Sequence, residues 1–551
     1  FLETNTELLL SFNTKRTGDL VLDLKAGGNL MHQQSNILSA NNPQLLQPGV
    51  FTLTNNRSDV LVENPRAEKG INSVFGLASI AYKNFLYLDI SGRNDWSSTL
   101  PAANNSYFYP SLSMSAVLSE RMNLPANAFL SFLKLRANYA EVGSDTDPYL
   151  LTNFYEPEPL FGSSPAFSTS AFAANPDLRP EKTSSWELGL DVRFAKNRLG
   201  IDATYYNMLS EDQIIFLPVA LTSGKQTRLA NGGAISNKGF ELSLYAQPIK
   251  KDKFSWDINL NLGHNRAIVE ELPEGVEGSY PIIADVYPGD EGSANMEYVA
   301  IKGELLGQIW GLGFQRDAQG NIIHANGLPQ LTSEKVSAGS YQPDLRIGMY
   351  NTFSYGNLTL GFLFDGQIGG KIYSRTHALM NTGGTITNND DPLLPISTLQ
   401  GRSNYTIAYD AQGLPVYSGT PGEGVVGPGV MYGPDGNLVE NTVAVPTRDY
   451  FYAYYGNGFN RDNVEAATYD ATYIKLRELR LALRLPASWT EKMGLQTATV
   501  SVLGRNLLLF SDVPSIDPET YSIRNGLFVN GYESTQLPST RSVGLALNLS
   551  F

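Results

Sequence analysis

The side chains able to do chemistry are scattered. The four histidines, His32, His264, His324 and His377, lie far apart, with no His-x-x-x-His pair and no Gly-x-Ser-x-Gly elbow in the chain. Cysteine is absent, which excludes a disulfide framework and thiolate metal sites. Carboxylates are plentiful, but no spacing singles out a catalytic pair. No catalytic residue, cofactor or metal ligand is therefore assigned, and the chain is not expected to be an enzyme. Asn388–Asp391 (NNDD) could offer oxygens to calcium, yet the EF-hand spacing is missing and a solvated turn is the simpler reading.

Binding chemistry is better represented. Asp449–Tyr455 (DYFYAYY) is the densest aromatic run, followed by Asn457, Asn460, Arg461 and Asp462; Tyr298 and Trp310 form a second aromatic candidate. Flat rings beside amides, carboxylates and guanidinium suit sugars or peptides. The candidate substrate contacts are Trp310, Tyr450, Tyr452, Tyr454, Tyr455 and Arg461, with Asp365 and Gln367 as polar wall residues. The bland alternative is that the rings pack the loops together. Arg179, Glu181 and Lys182 resemble a charged site but are expected to satisfy neighbouring loops. Trp186 is expected in an aromatic girdle.

The elements that must hold these residues are strands. In Ser185–Phe194, Trp186, Leu188, Leu190, Val192 and Phe194 alternate with Ser185, Glu187, Gly189, Asp191 and Arg193, so one face is apolar and the other wet. Hairpins of this kind are expected at 6–13 with 19–32, 71–82 with 85–96, 109–119 with 132–143, 184–195 with 198–210, 238–248 with 254–268, 344–355 with 357–373, and 472–485 with 495–510. A lone last strand ends at Phe551. That makes about fifteen strands. In 472–485 the apolar phase changes from Ile474 and Leu476 to Leu479, Leu481 and Leu483, which predicts a β-bulge near Arg477–Glu478. Gly307–Phe314 (GQIWGLGF) reads as a short strand or a folded loop.

One set of connections is short. The other is long, near 33–70, 144–183, 211–237, 270–343, 374–471 and 511–540. That asymmetry is the signature of a transmembrane antiparallel β-barrel with short periplasmic turns and long extracellular loops. A hydrophobic content of 42% is compatible, because only alternate residues face lipid, and aromatics at 11% can supply girdles. The net charge of −14, without a basic stripe, argues against nucleic acid. Val543, Leu545, Leu547, Leu549 and Phe551 alternate with polar or small residues up to the terminal aromatic.

In this order, Gly92–Pro101 (GRNDWSSTLP), Phe108–Glu120 (FYPSLSMSAVLSE), Leu133–Gly143 (LKLRANYAEVG), Asn175–Leu190, Asn237–Leu242 (NKGFEL), Gly307–Gly311, Asp365–Gly370 (DGQIGG), Tyr473–Glu478 (YIKLRE), Gly504–Phe510 (GRNLLLF) and Leu537–Phe551 resemble the C-terminal portion of TonB-dependent outer-membrane transporters of the SusC/RagA type, from Bacteroidetes. The resemblance implies a barrel of about 22 strands with a plugged lumen. It also implies a Ton box that engages TonB, a SusD-like surface lipoprotein as a lid, and oligosaccharide or oligopeptide cargo. The expected function is active nutrient uptake across the bacterial outer membrane, with the C-terminus periplasmic. The alternative is a structural or adhesion scaffold barrel without active transport. Plug, Ton box and leader are not recognisable in this sequence. About seven further strands and the plug are expected from the same polypeptide or another chain, so Phe1 is read as the start of a truncated or processed chain.

Overall fold

The computed structural model describes residues 1–14, 19–122, 124–125, 128–283, 296–383, 406–409, 415–418, 425–456, 463–524 and 527–551. Fifteen strands form one antiparallel sheet in chain order. They are β1 (Leu2–Asn13), β2 (Leu20–Asn36), β3 (Arg66–Tyr82), β4 (Leu86–Ser97), β5 (Ser106–Val117), β6 (Leu130–Ser144), β7 (Glu181–Phe194) and β8 (Leu199–Glu211). After these come β9 (Ala234–Lys250), β10 (Phe254–Glu271), β11 (Leu345–Tyr355), β12 (Leu358–Ile368), β13 (Tyr473–Arg484), β14 (Thr497–Ser511) and β15 (Ser542–Ser550). Every strand expected from alternation is present. The second strand of the sixth hairpin is shorter than expected: it stops at Ile368, and Lys371–Ser374 pairs instead with Thr468–Asp470 among the loops. Gly369 and Gly370, at φ +76° and +80°, turn the chain between the two.

The short turns follow from local chemistry. Lys83 and Asn84 both have positive φ, 52° and 54°, in the three-residue turn between Tyr82 and Leu86, which Phe85 N closes by donating to Tyr82 O at 2.9 Å. Ala195, Lys196 and Asn197 are left-handed in the β7–β8 turn.

Register fixes two faces. In one row, Ile90 stands opposite Leu112, and Leu112 opposite Tyr139. In another, Trp256, Phe353, Leu360, Leu481, Val502 and Leu545 succeed one another across six strands. Many of these apolar side chains are exposed, including Ile90, Leu112, Leu481, Val502 and Leu545. The opposite face is polar and internally bonded: Ser79 Oγ donates to Asp89 (2.5 Å), Ser91 meets Ser111 (2.6 Å), and Ser113 Oγ donates to Asn138 (2.7 Å). An apolar surface of this extent marks a non-aqueous environment. Among the described residues no helix is long and apolar enough to cross a membrane, which says nothing about strands.

The bulge falls where the phase change places it. Registers on both sides of β13 shift between Leu476 and Glu478. Leu476 opposes Phe364 on the apolar face, and Leu479 opposes Phe362 on that same face two partners later.

The chain divides into two compact units, Phe1–Val192 with Thr204–Ser236 and Pro273–Gly275, and Arg193–Ala203 with Asn237–Leu272 and Val276–Phe551. In the first, Leu100, Leu178 and Leu229 form a small buried cluster with Tyr107, Leu150 and Ile214 packed against it. In the second, the long loops build a larger core that includes Tyr298, Ile309, Phe314, Tyr373, Tyr450, Tyr454, Tyr455, Tyr469 and Tyr532.

Candidate functional site

On the polar face of β12 and β13, Asp365 stands opposite Lys475 and Gln367 opposite Tyr473. Phe364 takes the apolar face, so Asp365 and Gln367 have the facing that alternation gave them. The bulge then turns Arg477 to the side of Lys475. Its guanidinium donates to Asp365 Oδ2 from Nε (3.0 Å) and Nη2 (2.5 Å), and Nη2 reaches Glu519 Oε1 at 2.6 Å. Lys475 Nζ donates to both Asp517 oxygens, at 2.6 and 2.7 Å, and to Glu519 Oε2. Tyr473 Oη completes the set on Glu519 Oε1 at 2.8 Å.

Lys475 and Asp517 are buried, at 2% and 5% exposure, so the pair has lost its water and depends on its partners. Three carboxylates face two cations, leaving one negative charge in surplus. Burial alone would raise the Glu519 carboxyl, but the donors from Arg477, Lys475 and Tyr473 outweigh it and hold Glu519 down at about 2. The cluster clamps the loop after β14 onto the wall. It brings Asp365 into a network that sequence reading missed: Lys475 and Arg477 were visible in YIKLRE, whereas Asp517 and Glu519 lie some 40 residues away.

The loop core holds most of the aromatic candidates. Helix α1 (Arg375–Thr382) is capped by Ser374 Oγ, which accepts from His377 N at 3.1 Å. Ser374 and Thr376 also donate to the fully buried Glu533. Helix α2 (Thr447–Tyr454) carries the aromatic run. Tyr450 (0%), Tyr454 (2%) and Tyr455 (1%) are buried, so they present no ring surface to a cargo in this conformation. Tyr454 packs on Phe314 at 4.7 Å and Tyr455 Oη accepts from Asn381 Nδ2 at 3.0 Å. Tyr450 stacks on His324 at 6.1 Å. Burial lowers the His324 imidazole below the ordinary histidine range. Two candidates stay half-buried. Tyr452 lies under the Arg448 guanidinium at 4.9 Å, and Trp310 sits on the strand Gln308–Gly311, paired between Glu297 and Ser337. Arg461, Asn457, Asn460, Asp462 and Asn388–Asp391 lie outside the described residues.

In the first unit, GRND performs a comparable clamping role. Arg93 donates to Ser73 Oγ (2.6 Å) and Asp95 Oδ1 (2.7 Å), and Tyr109 Oη donates to Asp95 Oδ2 (2.6 Å). Asp145 accepts from Lys69 (2.6 Å), Ser97 and Thr99 (3.1 Å), tying the loop after β6 to β3 and β4. Arg179 pairs with Asp212 (2.5 Å), Glu181 accepts from Ile214 N (2.8 Å) and Lys182 meets Glu141 (3.1 Å), so this trio satisfies neighbouring segments. Trp186 is 39% exposed and tilts against Tyr205.

The meander carries one apolar face, polar clamps on the other and long folded loops. The family described as "TonB dependent receptor-like, beta-barrel" matches residues 2–321. The chain belongs to that family. Such a chain is a β-barrel protein of the outer membrane. Among curated relatives, TonB-dependent receptor P26 of Formosa agariphila is 28% identical over 509 residues, 87% of this chain and 46% of the relative. TonB-dependent receptor SusC of Bacteroides thetaiotaomicron is 25% identical over 340 residues, 58% of this chain and 33% of the relative. The chain thus spans about half or less of the length of the relatives it matches. Among solved structures, that of the RagAB peptide transporter superposes with a TM-score of 0.71 at 18% identity, covering 100% of this chain and 55% of the other. The TonB-dependent receptor fold, with the apolar face toward lipid, is the frame in which the polar clamps belong to the inner face of the wall.

Proposed function

We propose that this chain forms part of the barrel of an outer-membrane importer of oligosaccharides or oligopeptides, energised through TonB and working with a SusD-like surface lipoprotein. The observation that carries the reading is the combination, within one unit, of a packed loop core with an ionic clamp from loop to wall, Lys475–Asp517 and Arg477–Glu519. Membership of the TonB-dependent receptor family supports energised uptake, and the names SusC and RagAB peptide transporter support a glycan or peptide cargo.

In this reading the long loops face outward and the C-terminus lies in the periplasm. Trp310 and Tyr452, both half-buried, are the ring surfaces left for cargo, with Asp365 and Gln367 on the wall below. The outer strands β1 and β15 each pair on one side among the described residues. Hydrocarbon does not tolerate open edges, so further strands, with the plug and Ton box, come from the rest of the polypeptide or another chain.

The test is uptake of labelled oligosaccharide and oligopeptide pools by cells carrying the complete protein, with and without a protonophore. Import that stops when the proton-motive force collapses supports the reading. Unchanged import, or steady ion conductance of the purified protein in planar bilayers, overturns it.

A further inference from the structure

The chain carries a net charge of −14, yet two neighbouring short turns of the second unit are basic. The β7–β8 turn brings Lys196 and Arg198. The β9–β10 turn brings Lys250, Lys251 and Lys253 against a single carboxylate, Asp252. All six side chains are exposed. The two turns are bonded to each other. Arg198 Nε donates to the Gln247 carbonyl at 3.0 Å, and its Nη2 donates to the Gln247 and Pro248 carbonyls at 2.8 and 2.7 Å. Gln247 N returns a bond to Arg198 O at 2.7 Å. Lys251 N closes the second turn on Phe254 O at 2.8 Å, and Gly356 N donates to Lys253 O at 2.9 Å. The backbone therefore holds these cations as a group.

Other short turns carry no such excess. Lys83 pairs with Asp19 at 2.9 Å, the Tyr355–Leu358 turn holds no charge, and Glu491 offsets Lys492 in the β13–β14 turn. Lys250, Lys251 and Lys253 enter no salt bridge among the described residues. The next carboxylate on β10, Asp257, belongs to the polar face and accepts from Tyr245 (3.1 Å) and Gln247 (2.7 Å). Grouped like charges repel, and an anion among them relieves that repulsion.

The surface beside the cations selects the kind of anion. Ser243 donates to Asn261 at 2.8 Å and Gln247 to Asp257, so the odd positions of β9 lie on the polar face. Lys250 therefore ends the apolar row of Phe240, Leu242 and Leu244. On the same face Phe254 stands opposite Tyr355, and Trp256 stands opposite Phe353, on which it stacks at 5.4 Å. Trp256 is three residues beyond Lys253, about 10 Å along the strand. An acidic protein or a carboxylated polymer would use the cations and leave the rings bare. An anion joined to hydrocarbon meets both.

We propose that the β7–β8 and β9–β10 turns bind the phosphate headgroup of an anionic phospholipid in the periplasmic leaflet. The inference rests on the outer-membrane reading and on the periplasmic placement of the short turns. The lysines and Arg198 supply the charge, and the rings of β10 and β11 flank the lipid at the level where its chains begin.

The complete protein is reconstituted in nanodiscs of equal phosphatidylglycerol and phosphatidylcholine with identical acyl chains. It is released into mild detergent, and the lipids it retains are quantified by mass spectrometry. Phosphatidylglycerol is expected to exceed phosphatidylcholine about fivefold at low salt and to fall to parity at high salt. The triple variant Lys250→Gln, Lys251→Gln, Lys253→Gln is expected to return the ratio to about one. Lys83→Gln should leave the native ratio unchanged. Lys251→Gln with Lys253→Gln serves if the triple variant loses the heat-modifiable folded band. Equal retention of the two lipids by the native protein, enrichment that survives in a folded variant, or an equal fall in Lys83→Gln overturns the proposal. So does lysine-dependent capture of purified cell-wall sacculi by protein held in pure phosphatidylcholine, which would make the partner a carboxylated polymer. Lys253→Cys tests the placement separately. Labelling by a membrane-impermeant maleimide on intact cells would refute the periplasmic reading whatever the lipid ratio, whereas labelling only after permeabilisation upholds it.

Discussion

At the scale of single residues, burial separates rings that hold the loops from rings that can meet a cargo. Tyr450 is fully buried, and its hydroxyl has no partner among the described residues. Tyr450→Phe is therefore expected to leave thermal stability unchanged or slightly raised, because a desolvated hydroxyl is removed. Tyr450→Ala should cost about 3–5 kcal/mol through the cavity it leaves between His324, Phe451 and Tyr454. Paired denaturation curves of the two variants check this, and equal losses would show that the hydroxyl matters.

The Glu519 carboxyl titrates near 2 when folded, below its ordinary value of 4.5. The sign follows directly: the unfolded form binds the proton more readily, so Glu519 contributes stability above about 4.5. That contribution is lost as pH falls toward 2. Loop protection measured by limited acid proteolysis should decline across that window in the native protein. Glu519→Gln should flatten the decline.

At the scale of elements, the bulge in β13 decides which side chains reach the inner face. It inserts Arg477 between Leu476 and Glu478, so Leu479, Leu481 and Leu483 return to the lipid side while Lys475 and Arg477 stay within reach of Asp517 and Glu519. Deleting Arg477 removes the extra residue, so that Leu476, Glu478 and Leu479 follow one another opposite Phe364, Leu363 and Phe362 and the strand alternates without a bulge. The leucines keep the lipid side. The deletion is expected to retain the heat-modifiable folded band while loosening the 511–540 loop, because the Arg477 bonds to Asp365 and Glu519 are lost. Arg477→Ala should loosen that loop to the same extent. A deletion variant that loses the folded band would show that the bulge itself is needed for register. The bulge was legible in the sequence because apolar phase is a local property of the strand, as was the alternation that located every strand of the sheet.

At the scale of the whole molecule, β1 and β15 are exposed along their full lengths, and each pairs on one side among the described residues. A bilayer penalises every unpaired backbone group by several kcal/mol, so the described wall requires neighbours on both edges. Residues 1–551 expressed alone with an export signal are expected to fail membrane insertion, read as full susceptibility to external protease. The complete polypeptide should give protected fragments. Stable insertion of the isolated segment would contradict the need for further strands.

The sequence by itself determined the strands, their two faces, the bulge and the family. Each depends on the order of polar and apolar residues over a few positions, and side-chain facing in a strand has a period of two. The tertiary structure alone decided which aromatic residues are available. Tyr450, Tyr452, Tyr454 and Tyr455 look alike in the run DYFYAYY, yet helix α2 buries three of them and leaves Tyr452 half-exposed. It also decided that Lys475 and Arg477 meet Asp517 and Glu519, since a contact across some 40 residues is set by how the loop after β14 folds back.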